Sequence, residues 1–549
     1  LPGRRARHAD RGNFQANSSQ AGDTWRKDIQ RSPEKRTIAS KGGANGEPFK
    51  LACEAAVSKI LEKLLRAPSR RALRQILALS DQALEIFMRL DRLALLILLF
   101  GIALLAPIAL AQSSGPYDVR TFGATGDGKT KDTVAFQKAL DTCAVNGGGD
   151  VTVPRGNYLI GSVQIGTRTI IHLDKEATLI GSSDLDDYPI IDVRWEGRWE
   201  RGHRAMIYAA DVDHIGIVGP GHLIARFGRT SGRNGDAVTQ PDSGSPAGAA
   251  AQPGDRHPRA PSGTPGSTFT RPPCLIEPIS CNDVRFEDFT GDHSGTWANH
   301  LTYCSNVVLR NLTLSNSSDG LDIDSCNGVV VDHCLINAGD DAISIKSGRG
   351  MDGARLGKAC ENILITYCSL YDRNFACIGL GSEMSGGVRN LRVEHCKFLH
   401  SGERWYAVYI KTRPGRAGTT ENVTFDDIDV SDAGGFLRIN TMNGGNTSTA
   451  DDPVEGNIGI PLIKNIHASN IRVKNVANLV TAFQTNPKKP VEGLTLENIS
   501  GECGKGIILV NVENAVLSEI KVTGYTGPLL ATDNVTGTGL EGAVHARTE

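Results

Sequence analysis

Asn306-Val-Val-Leu-Arg-Asn-Leu-Thr-Leu-Ser-Asn-Ser-Ser-Asp-Gly-Leu-Asp-Ile-Asp-Ser325 is followed, after Cys326, by Asn327-Gly-Val-Val-Val-Asp-His-Cys-Leu-Ile-Asn-Ala-Gly-Asp-Asp341. The two pieces share a plan: an asparagine, a short β-branched run, a second run, then acids. Asp319 lies 13 residues after Asn306, and Asp340 lies 13 residues after Asn327. On that phase the two carboxylates stack in consecutive repeats, with Asp341 adjoining.

The same plan extends in both directions. Short alternating or β-branched runs begin near Asn282, Asn306, Asn327, Asn362, Asn390, Asn422, Asn465, Gly493 and Asn514, at spacings from 21 to 43 residues. The short units hold strands and turns with no room for a helix. No unit can bury its apolar face alone, so the units must stack on one another. The expected fold is all-β: a right-handed parallel β-helix, a solenoid. A leucine-rich horseshoe is excluded by the missing leucine consensus. Asparagine recurring at one phase predicts a turn ladder that uses left-handed backbone geometry. Cys334, Cys368 and Cys396 also recur at matching positions, as small apolar residues stacking on themselves. Some disulfide pairing is compatible with an exported chain.

Upstream, Tyr117-Asp-Val-Arg-Thr-Phe-Gly-Ala-Thr-Gly-Asp-Gly128 reads as a strand and a glycine-rich turn. Thr130–Asp141 then has apolar residues at helical spacing, with Asp132 or Thr133 at the N-cap. The glycines are not followed by Gly-Lys-Ser/Thr, so a capping helix on one end of the solenoid is expected rather than a phosphate loop.

Three segments stand apart. Residues 1–87 form a basic extension without methionine, which is not expected in the mature protein. Residues 88–111 read as a signal peptide: Arg89 and Arg92, an apolar run from Leu93 to Ala106, then Ala109-Leu-Ala111. An uncleaved membrane anchor is the competing reading. With cleavage, the remainder (112–549) is a secreted or periplasmic monomer with no stable membrane association. Residues 229–273, rich in Gly, Pro, Ala, Ser, Arg and Asp, interrupt the repeats and cannot form a coil. They read as a loop over the cleft or a frameshifted stretch. The formal net charge of -2 gives no reason to expect a nucleic-acid partner.

Neighbouring coils of a β-helix lie about 4.8 Å apart. Three acids that close should repel one another, raise one pKa and leave a proton available. A protonated acid beside ionised carboxylates suits glycosidic cleavage. A calcium site and turn-capping aspartates are the alternatives. A like-charge cluster without a basic partner favours chemistry.

Asp319-Gly-Leu-Asp322, Gly339-Asp-Asp341, Gly381-Ser-Glu-Met-Ser-Gly-Gly387 and Ile410-Lys-Thr-Arg-Pro-Gly-Arg-Ala-Gly418 together resemble the polygalacturonase-type pectinases of glycoside hydrolase family 28. The resemblance covers nearly all of 117–525 outside the interruption. It implies inverting hydrolysis of α-glycosidic bonds in a pectic polysaccharide or oligosaccharide, with no metal and no cofactor. It makes Asp340 the general acid and gives Asp319 and Asp341 the water. Lys411 matches the lysine that binds the substrate's carboxylate or ring oxygens, and Trp297-Ala-Asn-His300 makes His300 a sugar-contact candidate, with a hydrogen-bonded structural histidine as the alternative. Three positions depart from the pattern, one of them Ser317, where the family carries an asparagine. Phe375 stands at the phase where the family carries a histidine, and Tyr409 stands where it carries an arginine. Tyrosine cannot give the bidentate grip of arginine on a uronate, but both aromatics offer a flat surface for a sugar ring. Two other functions fit the same fold: a polysaccharide lyase using Lys411 or Arg413, and a non-catalytic glycan-binding protein.

Overall fold

The computed structural model describes residues 117–227, 271–445 and 452–546. All belong to one compact unit, Ala109–Glu549; a second unit, Leu1–Ile108, lies outside the described residues. The readings of a basic extension and a signal peptide therefore fall outside them, as does nearly all of the interruption at 229–273.

The described chain is a right-handed parallel β-helix. Its strands join one large parallel sheet, apart from a single antiparallel pair. The capping helix is present as α1, Thr133–Val145, with Ala135, Phe136, Ala139, Leu140 and Cys143 buried against the first coil. Asp132 occupies the N-cap position without capping the helix. Its carboxylate instead accepts from the amides of Thr125 (2.7 Å) and Gly126 (3.1 Å), tying the glycine-rich turn to the helix start.

Two strands follow that the repeat pattern did not anticipate. β1 (Ile190–Trp195) and β2 (Arg198–His203) pair antiparallel through a two-residue turn at Glu196 (φ 44°) and Gly197 (φ 74°). Positive φ at both central residues matches the right-handed twist of a hairpin.

The sheet that carries the candidate site contains β3 (Ile276–Ile279), β4 (Asn299–Thr302), β5 (Leu321–Asp324), β6 (Ile343–Lys346) and β7 (Ile378–Gly381). It continues in the C-terminal ends of β8 (Val388–Lys411) and β9 (Thr419–Asn440), while a short helix, α2 (Gly350–Leu356), follows β6. Each strand hydrogen-bonds to the equivalent strand one coil on, and inward Ile, Leu and Val side chains form a continuous core.

The asparagine ladder exists as expected. Asn362 donates to Asn327 (3.0 Å), Asn390 to Asn362 (3.0 Å), Asn422 to Asn390 (3.1 Å) and Asn465 to Asn422 (3.1 Å). Asn306, Asn362, Asn390, Asn422 and Asn465 have φ between 53° and 58°. In the coil that starts at Asn327, however, the left-handed residue is Gly328 (φ 72°). The eleven described cysteines are free and buried, and they serve as core residues.

Candidate active site

Strand alternation decides which side chains face outward. Leu321-Asp-Ile-Asp324, Ile343-Ser-Ile-Lys346, Ile378-Gly-Leu-Gly381, Val408-Tyr-Ile-Lys411 and Leu437-Arg-Ile-Asn440 each place two apolar residues in the core and two residues outside. Stacked in register, they make two outward rows. One runs His300, Asp322, Ser344, Gly379, Tyr409, Arg438; the other runs Thr302, Asp324, Lys346, Gly381, Lys411, Asn440.

The register corrects the expected stacking. Leu321 pairs with Ile343, and Ile343 with Ile378. Carried back to the head of each strand, this puts Asp319 level with Asp341 and Ala376, while Asp340 is level with Ser318 and Phe375. Counting from Asn327 slipped the phase by one residue, because the left-handed position of that coil belongs to Gly328.

Asp319 and Asp341 face each other across one hydroxyl. Ser344 Oγ lies 3.2 Å from Asp319 Oδ2 and 2.8 Å from Asp341 Oδ2. Lys411 Nζ donates to Asp341 Oδ2 at 2.7 Å. On the other flank Lys346 Nζ lies 2.7 Å from Asp322 Oδ1 and 3.4 Å from Asp319 Oδ2. The expectation of acids without basic partners is therefore overturned: a lysine stands at each end. Asp340 is half-buried at the rim, its backbone amide donating to Ser318 O at 3.3 Å.

Burial, more than repulsion, sets the proton affinities. It pushes the Asp341 carboxyl up, and the neighbouring Asp319 charge adds to this while Lys411 opposes it. Burial likewise pushes Asp322 well above the usual carboxylate range. Burial works against the charge on both lysines, yet the facing carboxylates win: Asp322 and Asp319 hold Lys346 up, and Asp341 and Asp340 hold Lys411 up. Glu383 is also buried, but the cations Lys346, Arg416 and Arg349 outweigh desolvation and hold it at about 2.

Phe375 and Tyr409 come to the same place. Lys411 Nζ sits 4.0 Å from the Phe375 ring centroid. Phe375 stacks on Trp405 (4.6 Å, 26°) and lies beside Tyr409 (5.8 Å, 28°). The Phe375 amide donates to both oxygens of Asp372, whose Oδ2 lies 2.7 Å from His400 Nε2 in a fully buried pair. That pair fixes the loop that presents the ring. Gly379 is a second fixed point: any Cβ there would collide with the Asp341 carboxylate.

His300 does not line an open cleft. It is 0 % exposed, with Nδ1 3.5 Å from Glu277 Oε1 and Nε2 3.3 Å from Thr302 Oγ1. Asp322 and Glu383 stood in the family-like motifs without a role, and Ser344, Lys346 and Trp405 were not picked out from the sequence. The alternating tetrapeptides were the signal for Asp322, Ser344 and Lys346, which are the outward members of consecutive ones.

Residues 262–520 match the model of the glycosyl hydrolases family 28, and residues 117–197 match that of rhamnogalacturonase A/epimerase, pectate lyase-like. A probable polygalacturonase of Vitis vinifera is 26% identical over 392 residues, covering 69% of this chain and 72% of the relative. Polygalacturonase-2 of Solanum lycopersicum is 24% identical over 408 residues, covering 71% and 76%. Among solved structures, a family 28 exopolygalacturonase of Yersinia enterocolitica aligns with a TM-score of 0.61 at 17% identity, over 77% of this chain and 78% of that one. A hyperthermoactive exopolygalacturonase of Thermotoga maritima aligns at 0.56 and 22%, over 78% and 92%.

Proposed function

Because residues 262–520 make this chain a glycoside hydrolase of family 28, we propose that it is a secreted, monomeric enzyme that hydrolyses α-glycosidic bonds of pectic polysaccharide by inverting, metal-free acid/base catalysis. The observation that carries the reading is the row Lys346–Asp319–Ser344–Asp341–Lys411 beside the half-exposed Asp340. Asp340 is the acid nearest solvent and gives its proton to the leaving glycosidic oxygen as the C–O bond breaks. Asp319 and Asp341 hold a water on the far side of the anomeric carbon and accept its proton as the new C–O bond forms. Ser344 orients both carboxylates. Lys411 and Lys346 set positive charge beside the two buried acids, and Lys411 opposes the burial that raises Asp341.

Lys411 has donors left beyond Asp341 and is placed to bind a sugar carboxylate, while Phe375, Trp405 and Tyr409 offer flat surface to the ring. With an aromatic residue where a guanidinium would grip every uronate, a substituted galacturonan or a rhamnogalacturonan suits the site as well as plain polygalacturonate. Secretion rests on the order of basic, apolar and small residues over 88–111. Among the described residues no helix is long and apolar enough to cross a membrane.

A lyase needs a neutral base, whereas both lysines are held protonated by their carboxylate partners. Digestion of pectic polymers followed by proton NMR of the first product tests the proposal. Hydrolysis with inversion yields new reducing ends of the β anomer and no absorbing unsaturated sugar. An unsaturated product, or a first product of the α anomer, contradicts it.

A further inference from the structure

Hairpin β1–β2 has no place in the solenoid, and its tip crosses the outward face of the site sheet. On one side Trp195 stacks on Trp297 at 4.0 Å and 22°, just before β4. On the other, Arg194 is fully buried, with Nε donating to Asp324 Oδ2 at 3.1 Å at the end of β5. Beyond β6, Glu196 accepts from Arg349 Nη1 at 3.0 Å, and Gly197 is packed so closely on the Gly348–Arg349 backbone that a Cβ would not fit. The tip thus touches both banks of the groove. Beneath and beside it, Glu277, His300, Thr302, Asp322 and Asp324 are all at most 1 % exposed although they point outward.

The covering ends at the acids. Arg271 lies 4.0 Å over Trp195, Trp195 lies on Trp297, and Lys346 Nζ lies 3.5 Å over the other face of Trp297. This pile of cation, two indoles and cation stops at Lys346, which touches Asp319. Past the acids Tyr409, Lys411 and Asn440 are still buried, and the same rows reach solvent at the half-buried Arg438, Thr481 and Gln484, near the exposed Met442.

We infer that this hairpin is a chain-end stop: a pectic chain enters from the Tyr409–Arg438 side, its terminal sugar abuts the Trp195–Trp297 wall, and single sugar residues are released. The inference rests on the proposed glycoside hydrolysis and names which bond of the polymer is cut. Trp195 and Trp297 are positioning residues that set how many sugars fit between wall and acids.

The test is the product profile of the full chain on a pectic oligomer of defined length, read by chromatography at successive times, for the wild type, Trp195→Ala, Trp195→Phe and a variant with residues 194–199 replaced by Asn-Gly. The wild type and Trp195→Phe are expected to release the monomer from the earliest time. Trp195→Ala and the shortened hairpin lose that exclusivity and release longer fragments. A wild type that yields mixed oligomers from the start overturns the stop and leaves hydrolysis standing. So do hairpin variants that still release only monomer. Absence of new reducing ends on every pectic substrate overturns the hydrolase reading itself, and the stop with it. Should the hairpin variants fail to fold, the wild-type profile decides alone.

Discussion

Two halves of one sheet carry the same outward alternation and meet different fates. On β3 to β5 the outward positions Glu277, His300, Asp322 and Asp324 lie fully buried, some beneath the hairpin. On β8 and β9 the equivalent positions Tyr409 and Lys411 keep 5 % and 7 % of their surface, and the row reaches solvent at the half-buried Arg438. Nothing in the tetrapeptides themselves distinguishes the halves. An outward residue of a solenoid becomes site or filler according to what another segment lays across it. In the covered half, polar groups must find protein partners, as His300 Nε2 does with Thr302 Oγ1. In the open half they remain within reach of a ligand.

The sharpest test of this contrast lies at the boundary. Asp341→Asn keeps the shape and removes the base; turnover should fall on the order of a thousandfold, measured as kcat with circular dichroism confirming the fold. Next in size is Lys411→Met, in the open half. Its cation opposes the burial that raises Asp341, so its loss raises Asp341 further. The sign follows from the state required: Asp341 must be deprotonated to accept a proton, so activity is lost as pH falls through its folded pKa. The acidic limb of the pH–kcat profile should therefore move to higher pH, with turnover down about tenfold or more at mildly acidic pH. An unmoved limb would break the assignment of Lys411 as countercharge.

In the covered half the readout changes from rate to stability. His300→Ala leaves a cavity and strips Glu277 of its buried contact, which should cost about 3 kcal/mol in denaturant unfolding, with kcat little changed. A large kcat loss in a stable His300 variant would return that residue to the groove. Glu383 sharpens the same point in acid. Its folded pKa is depressed to about 2, so its contribution to stability is present above the unfolded carboxylate value and is lost as pH falls toward 2. Glu383→Gln should flatten that acid dependence. The smallest effect belongs to Phe375→Ala, which removes ring surface beside Lys411 and should raise KM a few-fold while leaving the acid limb nearly in place.

Much of this was legible in the sequence. Repeats opened by asparagine, and the Asp-Gly and Gly-Asp-Asp motifs, gave the solenoid and put Asp319, Asp341, Lys411, Phe375 and Tyr409 in one neighbourhood. The exact stacking was not legible, because asparagine and glycine serve the left-handed turn equally and Asn327-Gly328 offers both. One residue of slip exchanges Asp340 for Asp341. The hairpin escaped because its strands are too charged to read as core, although Trp195-Glu-Gly-Arg198 carries the two-residue turn signal. The two readings of His300, sugar contact and structural histidine, were not separable for the same reason: its burial comes from a wall absent from the repeat. The paired lysines were missed because a search for acids did not follow the alternation one residue further, from Asp322 to Ser344 and Lys346.

The central claim is that Asp340, the half-exposed acid beside a buried, lysine-flanked pair, protonates the leaving sugar. Reducing-end release from pectic polymers by Asp340→Asn, side by side with the wild type and at equal folded protein, tests it most directly. The account predicts steady release by the wild type and a loss of at least about a hundredfold in the variant; equal rates in the two proteins would contradict it.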